Sequence, residues 1–590
     1  MIEDVVINEN AYFYRKIKTL SKTYISRIFT NVSKKKVGPY LYNSVKDTMT
    51  LTNGHSIVFS LCIFKYEAKP SFLNNERIKE IKLSFLLIVE FDNYIIISKK
   101  SISGLDDLLK GYTQEIDYSI LSNLFVEDST QFEKLSMNNM DVSDNVIRSK
   151  NLMARDLKES ISPFNSSGYI LRNIRLVNKD EKISLALNTS KIGKLGNKSN
   201  LDIYFTWVTE VINKVNTSAP KETFLNNFSS PSSFEDDIEQ ITPISILFIL
   251  EELFRWYENG EIQAATYKGR EINLLRFLKR YEKVLPIQEE QVLGYKRYNI
   301  KNKYDNSLKL KINKSAITLT STMLKHVLFV DSNDEQFDLL TYFNKTQNYK
   351  ITFNDVGYIY WSKKLFKDHR MLGNLDYFFK AFITNSRLKS CTSEKGGTNL
   401  ATSSFTNNSI FNFIETHMSS GATYLFCDDL GNEWADYIEI RSHESVSFYH
   451  AKHGKVGLSA SNFHDVVSQA QKNLGNIYTS SVALNKKKTK WKSMYNNSEY
   501  PSSNIKRIRK GNQVERGLEM FIKTILAPNT KKQVYLVVNF ISLSDLKSQL
   551  LALRNGNTSR LETTQIFWLI QSYILSCKEL NVDGYIVCAP

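Results

Sequence analysis

Between Trp434 and Gly454 the chain reads WADYIEIRSHESVSFYHAKHG, two alternating apolar and polar runs around a short polar stretch. This pattern predicts a β-hairpin of Trp434–Arg441 with Ser445–His453, turning around Ser442–Glu444. With the turn centred near His443 and Glu444, Asp436 falls across from Lys452 and Ile438 across from His450. Alternation then puts Asp436, His450 and Lys452 on one face and Glu439 and Arg441 on the other. A two-residue slip keeps that face, and a one-residue slip destroys it. A carboxylate beside a lysine on paired strands has a definite use in phosphate chemistry. The carboxylate holds Mg2+ or Mn2+ through oxygen, the ion polarises a scissile phosphate and acidifies water, and the lysine orients that water or stabilises developing charge. The competing reading is a cross-strand ion pair on an exposed face, which is common and weak.

The surroundings favour the first reading. Asp428, Asp429 and Glu433 crowd the entry to the hairpin, and residues 396–465 hold 8 acids against 3 Lys and Arg in a chain of net charge +16. Residues 466–590 reverse the balance, with 18 basic residues against 7 acidic ones. Nine of those cations, Lys486, Lys487, Lys488, Lys490, Lys492, Lys506, Arg507, Arg509 and Lys510, are interleaved with Trp491, Tyr495 and Tyr500. Basic residues among aromatics suit a phosphate backbone and unpaired bases; a solvated loop is the alternative. Gln469 falls mid-helix just after the hairpin, with Asp465 and Lys472 nearby.

The elements that must position these residues follow an α/β order. Ile410–His417 is predicted as a helix and Thr423–Cys427 as a strand. After the hairpin come an amphipathic helix Ser461–Ile477 capped by Ser461, a strand Gln533–Phe540, a helix Glu562–Leu580 and a strand Val582–Cys588. The expected architecture is a mixed sheet flanked by helices at 405–590, preceded by α+β domains: a strand-rich region at 1–225 and a mixed, helix-rich region at 238–395. Ser56–Lys65 and Lys82–Lys99 read as strands, the second folding into a hairpin at Asp92 and Asn93. Ile244–Tyr257 reads as a buried helix, and Cys391–Ser409 as a polar linker. Lys268–Lys314 carries 13 Lys and Arg against 5 acids, an excess suited to a phosphate backbone or to a solvated face.

The total charge and a pI of about 9.2 favour polyanionic partners, nucleic acid above all. Five scattered cysteines form no CxxC pair, which argues for a reducing compartment and against a cysteine zinc site. The apolar stretches Ile81–Ser98 and Ile244–Phe254 are interrupted by acids and cannot span a bilayer. The expectation is a cytoplasmic protein off the membrane. No GxxxxGK[ST] loop, GxSxG elbow or HExxH motif occurs, so any energy-driven translocation needs a partner protein.

The run ADYIEI…VSFYHAKHG…NFHDVVSQAQKN resembles the core of the PD-(D/E)XK restriction-endonuclease-like nucleases. It is most similar to branches of bacterial antiphage defence in which a strand ending in HxK precedes a helix carrying Gln-Ala. Thr563–Cys588 resembles the last helix and strand of such domains. The resemblance covers roughly 405–590 and implies a Mg2+- or Mn2+-dependent endonuclease, acting on DNA in preference to RNA, as an effector of antiviral defence. It implies Asp436 as a metal ligand, Lys452 as the lysine of the (D/E)xK element and Gln469 as the helix glutamine. His450 departs from the pattern, which expects Asp or Glu. Either His450 is a ligand or base, or an acid stands in, with Glu433 first, then Asp429 and Glu415. The alternatives are a non-catalytic nucleic-acid-binding scaffold and an adaptor in a defence complex; a partner protein or self-association is left open.

Overall fold

Runs dense in β-branched and aromatic residues such as Ser56–Ala68 and Glu80–Phe91 become strands. The structure, a computed structural model, describes residues 2–590 except 69, 71, 72, 74–76, 103, 143–148, 162–165, 220, 293, 294, 332–335, 370, 371, 374 and 497–502. It divides into two compact units, Met1–Lys158 with Gly168–Arg370, and Glu159–Ser167 with Met371–Pro590.

In the first unit, Ser56–Ala68, Glu80–Phe91 and Tyr94–Lys100 are neighbours in an 11-stranded antiparallel sheet. Phe91 pairs with Tyr94, and Asp92 takes φ 52°, a left-handed turn conformation that Asp tolerates. The helix Leu201–Thr217 buries Phe205, Val208 and Ile212, and its Trp207 meets Phe13 edge-on at 5.5 Å. Residues from 238 onward in this unit are built from strands rather than being helix-rich, in a nine-stranded and a four-stranded sheet. Ile244–Tyr257, expected as one helix, divides into the strand Pro243–Phe248 and the helix Glu251–Glu258. The reason is tertiary. The β-branched run pairs on both sides, with Leu285–Val292 and Tyr349–Phe353, and the helix starts only where Glu251 and Glu252 face its dipole.

The second unit carries a seven-stranded mixed sheet: β1 (Phe382–Thr384), β2 (Tyr424–Cys427), β3 (Tyr437–Arg441), β4 (Ser445–Lys452), β5 (Ile508–Lys510), β6 (Lys531–Ser542) and β7 (Asp583–Ala589), in the spatial order β1-β7-β6-β4-β3-β2-β5. β1, β7, β6 and β4 run parallel to one another, and β4, β3, β2 and β5 form antiparallel pairs. β1 comes from residues expected in the middle region, and β5 from the basic stretch. The helices α1 (Ile410–Phe413), α2 (Ala460–Asn473), α3 (Val514–Leu526), α4 (Leu543–Arg554) and α5 (Leu561–Glu579) cover the sheet. α1 continues as a wider turn, Ile414–Met418, and α2 is capped by Ser459, not Ser461. Phe448, Leu536 and Ile586 join α2 and α5 in one core, while Tyr437, Tyr449 and Val537 join Phe411 and Phe413 in the other. Of the described residues, no helix is long and apolar enough to cross a membrane.

Candidate metal centre

The β3–β4 hairpin forms, two residues away from the expected register. Ile438 pairs with Phe448 and Tyr437 with Tyr449. Arg441 faces Ser445 across the three-residue turn Ser442–Glu444, and His443 absorbs the reversal at φ 61°. Asp436 stands just ahead of β3. Its N–H donates to the Tyr449 carbonyl at 2.9 Å, and its carboxylate accepts the Ala451 N–H at 2.5 Å. Asp436 therefore lies against Tyr449 and Ala451 rather than across from Lys452.

One oxygen each from Asp429, Glu433 and Asp436 lies within 4.8 Å of the others. The loop between β2 and β3 produces this convergence. Leu430 and Gly431 take φ 71° and 64°, reversing the chain so that the Glu433 carboxylate accepts the Leu430 N–H at 3.0 Å. An apolar side chain in the left-handed region costs about 1–2 kcal/mol, strain of the kind that gathers at functional sites. The other Glu433 oxygen accepts Gln469 Nε2 from α2 at 3.0 Å, so two of the expected site residues meet. Asp429 accepts the Tyr495 hydroxyl at 2.6 Å and Lys395 Nζ at 2.7 Å.

Lys395 and its neighbour Glu394 are the functional candidates that the sequence reading missed. They lie in Cys391–Ser409, which is a pinned segment and not a linker. Ile410 N–H donates to Ser393 O at 3.1 Å and Phe411 N–H to Glu394 O at 3.0 Å. Gly396 takes φ 82°, and a Cβ there would overlap Thr406. Glu394 accepts the His453 N–H at 3.4 Å, tying the segment to the end of β4. Beyond that end, Gly454 fits against Phe540 with no room for a Cβ, and Asn539 bonds its N–H and its carbonyl at 2.8 and 3.1 Å.

The electrostatics follow from this crowding. Burial, then Asp429 and Glu394, hold the Asp436 carboxyl well above the usual carboxylate range; the Ala451 N–H and Lys395 pull the other way. Burial would lower the Lys395 ammonium, but Asp429, Glu394 and Asp436 outweigh it and raise it. Lys395 is the cation that the cluster recruits from its own chain.

Other expected residues lie elsewhere. His450 is fully buried beside Leu536, on the Phe448 side of β4, and neither ring nitrogen has a hydrogen-bond partner among the described residues. Burial, with Lys472 adding to it, pushes its imidazole down to about 3. His450 is outside the carboxylate cluster, because Asp436 lies ahead of β3 and is bound to Tyr449 O and Ala451 N–H, out of the alternation that would otherwise place it on the His450 face. Lys452 ends β4 and pairs with Asp465 of α2 at 3.5 Å. Glu415 is engaged by Arg509 through two nitrogens and by the Tyr437 hydroxyl at 2.8 Å. Asp428, next to Asp429, is buried and accepts Trp434 N–H, Trp491 Nε1 and Lys487 Nζ at 2.8, 2.8 and 2.6 Å.

That last group also fixes the basic stretch. Lys487 and Lys490 pair with Asp428, Lys488 and Lys492 with Glu515, and Arg509 with Glu415. Arg507 donates to the carbonyls of Cys427 and Asp429, and Lys510 to those of Ser419 and Ser420. Lys486 and Lys506 are exposed. Tyr500 lies outside the described residues. No protein-family model matches the chain, and no curated protein matches it significantly. Three carboxylates are hard oxygen donors, the set that Mg2+ and Mn2+ take, so the cluster fits the expected ion.

Proposed function

We propose that the C-terminal unit is a metal-dependent nuclease of the restriction-endonuclease-like class, hydrolysing phosphodiester bonds of nucleic acid, with DNA as the first candidate and antiviral defence as its setting. One observation carries the reading: Asp429, Glu433 and Asp436 converge within 4.8 Å at the mouth of the β3–β4 hairpin. These three would hold Mg2+ or Mn2+, which when bound supplies Lewis acidity toward the scissile phosphate. The chain does the rest. Asp436 must give up its proton to act as a ligand, and the Ala451 N–H and Lys395 favour the charged form. Gln469 fixes the Glu433 carboxylate. Among the described residues the Lys452 ammonium is held only by Asp465, whose side chain is 61% exposed; such a surface pair is worth less than about 1 kcal/mol, so the ammonium can turn to a phosphate oxygen.

The alternative, a non-catalytic scaffold, is favoured by the Lys395–Asp429 pair, because an internal ammonium already compensates the acids. One experiment separates the two readings. Plasmid and single-stranded DNA are incubated with Mg2+ or Mn2+ and the full chain, wild type beside Glu433→Gln and Lys452→Met. Metal-dependent cutting lost in both variants supports the nuclease. Cutting by neither wild type nor variant under any metal favours the scaffold, and cutting unchanged in both variants removes the assigned site.

A further inference from the structure

The first unit carries a second concentration of charge that the carboxylate cluster does not use. The strand Tyr295–Ile300 pairs with Lys309–Ile312, which pairs in turn with Ile317–Thr320. Tyr298 faces Leu310 across the first ladder, and both are buried in the core. Alternation therefore turns Arg297, Lys309 and Lys311 to the opposite side. Lys314 lies at the tip of the next hairpin, where Asn313 N–H donates to Ala316 O at 2.9 Å. These four form a basic wall that lines a groove of about 1130 Å³ together with Lys296, Glu235 and Glu239.

Two features distinguish this wall from an ordinary solvated face. Continuing the register from Tyr298–Leu310 puts Arg297 opposite Lys311, a like-charge pair, while Glu290 faces Arg297 from the strand on its other side without an ion pair between them. Among the described residues, only Lys296 of the five has an ion pair, with Glu289 at 3.4 Å. In the second unit, by contrast, seven of nine clustered cations are engaged by carboxylates or carbonyls. Lys309 and Lys311 recur two residues apart on one strand, roughly 7 Å, with Lys314 extending the line. A row of cations without ion pairs among the described residues suits a row of phosphates better than one small anion.

We propose that this groove is a nucleic-acid-binding surface, in which Arg297, Lys309, Lys311 and Lys314 hold the sugar-phosphate backbone. The choice of a polynucleotide over another polyanion rests on the nuclease reading, but the binding does not need the carboxylate cluster and is measured without it. The experiment is fluorescence anisotropy of labelled oligonucleotides, single-stranded and duplex DNA and the matching RNA, with the full chain in EDTA across 50–200 mM salt. The combined Arg297→Gln, Lys309→Gln, Lys311→Gln variant should bind at least 10-fold more weakly at 100 mM salt. Its log–log salt slope should fall by about 2–3, since each phosphate contact contributes about 0.7–0.9. Lys311→Gln alone, at an exposed position where folding is not at stake, should lower the slope by about 1, and Arg297→Lys should keep the affinity. Wild-type affinity and slope in the combined and single variants would overturn the proposal, as would no binding by the wild type. Displacement of the oligonucleotide by polyglutamate as readily as by polynucleotide would overturn it in favour of an acidic protein partner. Failed cleavage with intact, groove-dependent binding would refute the nuclease reading alone.

Discussion

Replacing Asp436 by Asn removes one charge from a cluster of acids while keeping an oxygen for the Ala451 N–H. Carboxylate oxygens no more than 4.8 Å apart repel by about 3 kcal/mol per pair at an effective dielectric near 20. Lys395 offsets part of this, leaving about 1–3 kcal/mol against the ionised form. Because the folded Asp436 carboxyl is held up, by burial first and then by Asp429 and Glu394, its contribution to stability is full below the unfolded carboxyl value. That contribution is lost as pH rises through the folded value. At pH 8 in EDTA, Asp436→Asn should therefore be the more stable protein, by a Tm difference of about 4–8 °C if the gain is about 2 kcal/mol in a body of roughly 200 residues. Near pH 4 the difference should shrink toward zero. Mn2+ should reverse the order, since a ligand at 100 times its Kd stabilises the wild type by about 2.7 kcal/mol and the variant lacks a ligand. Calorimetry of the full chain with and without Mn2+ reads all four states. A variant less stable than wild type in EDTA at pH 8, or one shifted equally by Mn2+, would refute the reasoning.

Three further outcomes follow from the same geometry. Lys395→Met should lower stability in EDTA at pH 8 by about 2 kcal/mol, the range of a charge-assisted hydrogen bond for a side chain 21% exposed. It should also enlarge the Mn2+ shift, because the metal then meets no resident ammonium; urea titrations with and without Mn2+ check both. Gly396→Ala forces a Cβ onto Thr406 at φ 82° and should cost about 2 kcal/mol or more, with cleavage falling alongside; cleavage and urea midpoint are measured together. His450→Leu should remove a slope in stability against pH. The folded imidazole, lowered to about 3 chiefly by burial, keeps its full contribution above the unfolded value near 6.5 and loses about 1.4 kcal/mol per unit below it. Between pH 6.5 and 5 the wild type should lose about 2 kcal/mol more than the variant, and parallel pH profiles would contradict this.

Much of the C-terminal unit was legible because its signals are local. Period-2 alternation located β3 and β4, and Phe463, Val466, Val467 and Ala470 at helical spacing located α2. The acids crowding Asp436 identified the three residues that converge. The turn residues Ser442–Glu444 were located, but the register went astray by two because the turn centres on His443, which takes the left-handed position more usual for Gly or Asn. Glu394 and Lys395 were hidden because only contacts far along the chain hold them in place: Ser393 to Ile410, Gly396 to Thr406 and Glu394 to His453. The Gly pair beside Lys395 was the one available hint, since a left-handed residue in a close approach requires glycine. Counting charge did not reveal that most cations of 486–510 have internal partners, because Asp428 and Glu415 are distant in sequence and Glu515 lies beyond the stretch. In Ile244–Phe248, pairing on both sides overrode a helical spacing that short apolar runs cannot distinguish from a strand.

The central claim, that Asp429, Glu433 and Asp436 bind a divalent cation, is tested most directly by anomalous diffraction from crystals of the full chain grown with Mn2+. One strong peak is expected about 2.0–2.5 Å from oxygens of all three carboxylates, with Lys395 Nζ moved off Asp429. A peak elsewhere, or none with Lys395 still on Asp429, would contradict it.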